Sequence, residues 1–496
     1  MPGLPQYDEL HVVSDLHMGG KPGFQILREG KRLAGYIRWV GEQRPNGRVA
    51  LVLNGDIIDS LAEEIEGYVA VDDAVIMVER IFSDPSFATV WDALAAFVAK
   101  ERRTLVIVLG NHDIELAFPS VQRAILARLA GDDTASRVRI EFSTMGAGFT
   151  CLIGNSRVFC THGNEVDPWN YVRYEDLSKV ARRLNAGRSL DPSEWQPNAG
   201  TKMVKDVMNE VKKRYAWIDL LKPEEKAAVG VLLVLDPGQA WKIKQLIPII
   251  GEKQHGAAEF DQRLSAGGFA SNTAEQVRSI AVDQLLGPNV AQGVKAAGAA
   301  SSEDAMLLQA ERTLRTKGTE AAVPDQTLGT PQLIWDRLTG WITGVGRNEA
   351  LRRALKDWLR EDKTFHVNDR DPTFTAVTES VGSNVDFIVT GHTHLERAID
   401  MGGGRYYFNT GTWIRLLKFT DAMLESTATF EEVYDVLMKG TMDSIDSAKF
   451  GGEPWLLDQT SAVSIKKNEL GVVGQLWHVQ GDGTQHKPVG APFRRS

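Results

Sequence analysis

Four short runs of β-branched and aliphatic residues, each closed by a cluster of Asp, Asn or His, constrain this chain more than any other feature. The runs are residues 10–14 (LHVVS), 49–53 (VALVL), 104–109 (TLVIVL) and 385–390 (VDFIVT). Each has little polar interruption, which is how strands covered on both faces read. After them come Asp15 and His17 (SDLHMG), Asn54, Gly55, Asp56 and Asp59 (NGDIID), Gly110, Asn111, His112 and Asp113 (GNHD), and His392 and His394 (GHTH). A fifth cluster, His162 and Gly163 (THGN), follows a strand-like run at 156–161. Ligands of open α/β sheets collect at the carboxyl ends of strands, so the five clusters are expected to converge on one crevice.

Between the first runs, residues 72–82 and 85–100 carry apolar side chains at helical spacing, and the order β–α–β–α predicts a sheet with helices packed outside it. Shorter strands are expected at 137–142, 148–153 and 156–161, the last two joined by a turn at Gly154-Asn155. From about 170 to 379 the character changes. Segments 171–184, 202–217, 239–247, 273–286, 303–316 and 349–360 read as amphipathic helices, with Gly, Ala and Ser crowding 287–302. Strand character returns at 385–390, 405–409, 462–466 and 471–479, with a helical interruption over 421–439. The expected division is an α/β core in two parts, 1–169 and 383–496, around a mainly helical insertion, 170–382.

With 496 residues, 43% of them hydrophobic and 24% charged, the chain has the composition of a soluble globular protein able to bury a core. A net charge of -9 offers no general basic surface for capturing nucleic acid by counterion release. Two cysteines, Cys151 and Cys160, cannot build a disulfide framework and are expected as small buried residues in a reducing cytoplasm. Residues 1–15 lack the basic segment and apolar run of a signal peptide. The most apolar stretch, 229–235, ends at Asp236-Pro237, short of the roughly 20 residues a membrane span needs. A cytoplasmic location is the expectation.

The polar clusters have the chemistry of a metal centre. Divalent ions of hard or borderline character take carboxylate and imidazole ligands. An Asp-x-His pair leaving a strand is expected to point both side chains to one side, because the strand period is two. One carboxylate can bridge two ions about 3.5–4 Å apart. An Asn amide adds a neutral oxygen, and small Gly residues let the backbone turn close to the ions.

The ordered set Asp15-x-His17, Gly55-Asp56-x-x-Asp59, Gly110-Asn111-His112-Asp113, His162-Gly163 and Gly391-His392-x-His394 resembles the calcineurin-like metallophosphoesterase superfamily, over residues 8–168 and 383–415. The resemblance implies a four-layer α/β/β/α sandwich of two mixed sheets. It implies two divalent ions, Mn first, with Fe and Zn as alternatives. Asp15, His17, Asp56 and His394 would hold one; Asp56 as bridge, Asn111, His162 and His392 would hold the other. His112 would approach the phosphate and serve the leaving oxygen, oriented by Asp59. A hydroxide between the ions, its pKa lowered toward neutrality, would attack phosphorus in line.

The substrate implied is a phosphomonoester, a phosphodiester or a nucleotide-like molecule. SDLHMG, THGN and residues 408–413 (FNTGTW) resemble the bacterial branch that includes the UDP-diacylglucosamine pyrophosphatases, but that branch carries Arg where this chain has His112. The Asp-Arg-Gly of protein phosphatases is replaced by Asp59-Ser60-Leu61. Asn164, Trp413 and Arg415 are candidate substrate contacts, an aromatic and a cation at the rim being suited to a phosphate on a base or ring; the ordinary alternative has Trp413 in the core and Arg415 as a solvated strand end. A Mn-dependent nuclease is the alternative function, and a metal-stabilised protein-binding scaffold the third. The helical insertion reads either as a cap over the metal site or as a dimerisation or partner module. Its apolar runs at 229–235 and 246–250 read as buried packing or as a lipid-facing surface.

Overall fold

A computed structural model describes residues 3–167, 169–221, 231–232, 234–236, 346–359, 365–469 and 471–495. The helices expected at 239–247, 273–286 and 303–316, the stretch 287–302 and the run at 246–250 lie outside these residues.

The buried runs form the centre of a seven-stranded sheet. Strands β2 (Glu9–Val13), β3 (Val49–Asn54), β4 (Arg103–Val108) and β5 (Ile140–Ser143) are parallel, with Val12 opposite Val52 and Leu53 opposite Ile107. Side chains alternate as the pleat requires. Ala50 and Val52 face a second sheet, whereas Val49, Leu51 and Leu53 face helices α1 (Gly30–Glu42), α2 (Ala74–Ser83), α3 (Ala88–Val98) and α4 (Pro119–Ala130).

The second sheet begins with β1 (Gln6–Tyr7), β6 (Phe149–Ile153), β7 (Ser156–Cys160) and β8 (Phe387–Thr390), and is completed by β10 (Arg405–Thr410) and β9 (Glu396–Gly402) in the order β1-β6-β7-β8-β10-β9. Cys151 and Cys160 are free and buried between the sheets, beside Phe387 and Phe408. On its outer face, Ile388 and Tyr407 pack under the helix Pro372–Ser380 through Phe374 and Val377. Two mixed sheets with helices on both outer faces make the α/β/β/α sandwich that was expected.

Two short ladders, β11 (Leu416–Leu417) with β14 (Leu456–Leu457) and β12 (Lys449–Phe450) with β13 (Glu453–Pro454), precede the last three strands of the first sheet. These are β15 (Ser461–Asn468), β16 (Gly471–Gln480) and β17 (Gln485–Arg495), giving the order β17-β16-β15-β2-β3-β4-β5.

Three local expectations need correction. The strand expected over 137–142 starts only at Ile140, because Asp133 caps a short helix, Thr134–Arg137, by accepting from Ala135 N and Ser136 N. The helix expected over 202–217 is broken: an α turn (Ala199–Lys202) runs into a π-helical stretch (Met203–Met208), an α turn (Asn209–Lys212) and a 3₁₀ turn (Ala216–Leu220). Strands β9 and β17 were not anticipated. Residues 199–221, Val231, Leu232, Val234 and Leu235, helix Arg347–Leu359 and segment 414–456 share one apolar cluster, in which the Trp217 indole donates to Leu437 O at 2.9 Å.

Candidate metal centre

The five polar clusters meet at the carboxyl ends of β2, β3, β4, β7 and β8. Beyond β2 and β3 the loops run side by side: Asp15 N donates to Gly55 O, Leu16 N and His17 N to Asp56 O, and Met18 N to Ile57 O, at 2.8–3.1 Å. Asp113 ties the third loop to the second by accepting from Ile57 N and Gly110 N, both at 2.7 Å.

Backbone conformation, rather than strand alternation, aims the ligand side chains. Asp15 (φ 54°), His17 (φ 47°), Asp56 (φ 51°), His392 (φ 71°) and His394 (φ 60°) all adopt the left-handed region. Such residues cost of order 1–3 kcal/mol each and persist where the surroundings enforce them, typically at functional sites. The expectation that Asp15 and His17 project together because of the strand period is thus corrected: β2 ends at Val13, and two left-handed residues turn both side chains inward. Glycine is needed where the loops touch. A Cβ on Gly110 would collide with Asp56, and one on Gly391 with Ser14.

The donors fall into overlapping groups. Asp15, His17 and His394 offer ligand atoms within 4.8 Å of one another, as do Asp56, His162 and His392, and also His17, Asp59 and His112. Oδ2 of Asp56 lies 3.2 Å from Nε2 of His162 and 3.7 Å from Nε2 of His17, between the first two groups. Its Oδ1 accepts from His112 N at 2.9 Å. Asp15 accepts from His392 N at 3.0 and 3.1 Å and lies 3.5 Å from Nε2 of His394.

Second bonds select the ring nitrogen each imidazole presents inward. His162 donates from Nδ1 to Asn54 O at 2.8 Å, leaving Nε2 toward Asp56. His392 donates from Nε2 to Asp167 at 2.7 Å, leaving Nδ1. His112 donates from Nδ1 to Asp59 at 3.1 Å, leaving Nε2. Both ring nitrogens of His17, Oδ1 of Asn111, Nε2 of His162 and Nδ1 of His392 are buried and meet no hydrogen-bond partner among the described residues. Buried polar atoms are ordinarily satisfied, and inward lone pairs of imidazole and amide oxygen suit a divalent cation. The residues fit the metal the motifs imply.

Electrostatics agree. Burial alone would raise Asp56, but His162, His112 and His17 outweigh it and hold the carboxyl well below the usual carboxylate range. Asp59 is likewise held low against burial by His112 and His17. Burial raises Asp15, and the neighbouring Asp56 carboxylate adds to the rise. Burial, aided by Asp56, lifts Asp113 to about 7. This is a dense set of acidic groups with little solvent to screen them, the condition under which a cation is bound most strongly.

Of the candidate substrate contacts, Asn164 is fully buried and donates to Asn170 O at 3.3 Å and to the Tyr174 hydroxyl at 3.4 Å. Trp413 is placed in the core, not at a rim: it is 0% exposed, packs against Tyr36 and donates its indole N–H to Ser461 O at 2.9 Å. Arg415 is held by both oxygens of Asp446, at 2.9 and 3.0 Å, and by Gln25 O at 2.7 Å. Those internal partners replace the rim contacts expected of the pair. Sequence reasoning missed Asp167, which lies only five residues beyond His162 but carries no recognisable spacing. It also missed Asn209, Lys212 and Asp219, which line a cleft with His17, Asp59 and His112.

No helix among the described residues is long and apolar enough to cross a membrane. Residues 10–214 match the family of calcineurin-like phosphoesterases. No curated protein matches the chain. The sandwich, the clustered ligands and the family match agree: residues 10–214 carry a calcineurin-like phosphoesterase domain, and the chain is a metal-dependent hydrolase of phosphoester bonds.

Proposed function

We propose that the centre holds two divalent ions and hydrolyses a small phosphoester. Asp15, His17, Asp56 and His394 would hold one ion, and Asp56, Asn111, His162 and His392 the other. The observation that carries this reading is the position of the Asp56 carboxylate between His17 and His162, each presenting a buried ring nitrogen without a hydrogen bond. Bound ions would supply Lewis-acid stabilisation of the phosphoryl oxygens and a water of lowered pKa. Mn is the first ion to test, with Fe and Zn as alternatives, because the donors are nitrogen and oxygen only.

The chain's own residues supply the rest. Asp59 accepts from Nδ1 of His112 and its carboxylate stabilises the imidazolium, so Nε2 of the protonated ring is the atom placed to give a proton to the leaving oxygen, the ring returning to its neutral Nδ1–H form. Asp167 and Asn54 O hold His392 and His162 in their orientations. The segment 203–219 narrows the approach on the His112 side, which supports a small substrate over duplex nucleic acid. We infer that residues 170–382 act as a cap on an α/β core formed by 1–169 and 383–496. The two free, buried thiols suit a reducing cytoplasm.

The test is metal analysis with activity. Wild-type protein loaded with Mn should carry two ions per chain and hydrolyse p-nitrophenyl phosphate or its bis ester. Asp56→Asn should lose both ions and the activity together. An Asp56→Asn protein that keeps two ions sinks the bridging assignment, and Asp56-dependent nicking of plasmid DNA would put the nuclease ahead.

A further inference from the structure

The cleft beside the centre is not lined by the sandwich alone. His17, Asp59 and His112 form one side, and Asn209, Lys212 and Asp219 of the helical region form another. The remaining inward donors, Asp15, Asp56, Asn111, His162, His392 and His394, do not line it, so it opens on the side of the side chain assigned to the leaving oxygen.

The helical region is docked here by specific polar contacts. Asn209 Nδ2 donates to Leu61 O at 3.0 Å, Lys205 Nζ approaches Glu63 O and Ile65 O at 3.4 Å, and the Tyr68 hydroxyl donates to Asp206 at 2.9 Å. All of these lie on the stretch that follows Asp59. The π-helical turn Met203–Met208 sits between the two α turns. Wide turns of this kind are uncommon and occur disproportionately at functional sites. Immediately after it, Asn209 and Lys212 are three residues apart and share one helical face.

Lys212 is 7% exposed and forms an ion pair with Asp219. Burying an ion pair is weak grounds for stability, because desolvation offsets the attraction. Among the described residues that line the cleft, Lys212 is the only Lys or Arg, and it faces a site rich in carboxylates. Apart from Lys212, the Asp and Glu residues among the described lining are Asp59 and Asp219, which repel an anionic group entering from this side.

Resting on the reading of the site as a phosphoester-hydrolysing centre, we propose that Lys212 is a specificity residue that binds a second anionic group on the leaving-group side of the substrate. Asp219 holds the ammonium in place and competes with that group for it. Preferred substrates therefore carry a phosphate or carboxylate in the part released on hydrolysis.

Binding of non-hydrolysable probes tests this directly. Propylphosphonate and 3-phosphonopropionate have nearly the same shape and differ by one carboxylate. Their affinities for the Mn-loaded full chain are measured by calorimetry. Wild-type protein is expected to bind 3-phosphonopropionate about tenfold tighter, the size of one charge-assisted contact. Lys212→Gln should abolish that margin, and Asp219→Asn should widen it by releasing the ammonium. Equal binding of the two probes by wild-type protein overturns the proposal and leaves the hydrolase reading standing. Loss of the margin in both variants also overturns it, because the pair is then only a scaffold. If wild-type protein binds neither phosphonate with Mn present, the reading of the centre falls as well. Should Lys212→Gln fail to fold, the opposite sign expected of Asp219→Asn still decides.

Discussion

Nε2 of His392 donates to Oδ2 of Asp167 at 2.7 Å, and both side chains are 8% exposed. The bond fixes which nitrogen His392 turns inward, and the carboxylate makes the ring a stronger ligand. Asp167 is itself immobilised, accepting from Trp169 N at 2.8 Å and from Asn170 Nδ2 at 2.6 Å. The start of the helical region is thereby anchored to the orientation of a metal-facing imidazole.

Asp167→Ala should weaken Mn binding by about 10–100-fold, the usual effect of losing a carboxylate behind a ligating imidazole. Asp167→Asn, which keeps an acceptor, should lose less. Calorimetric titration of Mn into metal-stripped protein checks both, and an Ala variant with wild-type affinity refutes the positioning role.

His112 is predicted to act on the reaction and not on the metals. With Nδ1 committed to Asp59, its Nε2 serves the leaving oxygen. Replacing a positioned acid–base group typically costs on the order of 10²–10⁴-fold. His112→Asn should therefore lower kcat in that range at unchanged metal content. The effect should shrink for p-nitrophenyl phosphate, whose leaving group needs little protonation. A uniform loss across good and poor leaving groups would falsify the acid role.

Much of the centre was legible because its residues leave buried strands in consecutive, recognisable clusters. Asp15, Asp56 and His392 each stand within three residues of the end of an apolar run, and that local pattern survives in a single sequence. What was not legible is three-dimensional. Nothing in SDLHMG announces a left-handed backbone at both Asp15 and His17. Lys212 lines one cleft with His112 only because the chain folds back after about a hundred residues, and no spacing encodes that arrangement. Trp413 after a glycine turn was equally compatible with rim and core, and its burial decided. Strand β17 was hidden by Pro488 and Pro492, which a sheet tolerates only at an edge, the position β17 occupies.

Trp413 provides a stability prediction that separates core from rim. Trp413→Phe removes the indole N–H bonded to Ser461 O and leaves that buried carbonyl short of a donor. The expected cost is about 1–3 kcal/mol. Urea denaturation should show it, while kcat/KM of the folded, Mn-loaded protein stays within about twofold. A tenfold loss of kcat/KM at unchanged stability would restore Trp413 as a substrate contact.

The last prediction concerns pH and a site remote from the metals. Glu9 is buried on β2, bonded to His11 at 2.6 Å and flanked by Lys466 at 2.9 Å and Arg44 at 3.1 Å; Tyr36 and His486 complete the surroundings. Burial would raise Glu9, but His11 and Lys466 outweigh it and hold the carboxyl at about 2, below its ordinary 4.5. Burial pushes His11 below its ordinary 6.5. Both shifts are depressions, so both contributions have the same sign: the unfolded chain binds the proton first as pH falls. The His11 contribution is complete above 6.5 and declines below it. The Glu9 contribution is complete above 4.5 and is lost as pH falls toward 2. Metal ligands titrate as well, so the informative quantity is the difference in urea midpoint between wild type and Glu9→Gln. That difference should be largest near neutral pH and shrink steadily below about pH 4.5. A gap that stays constant down to about pH 3 would show that Glu9 acts through its shape and not its charge.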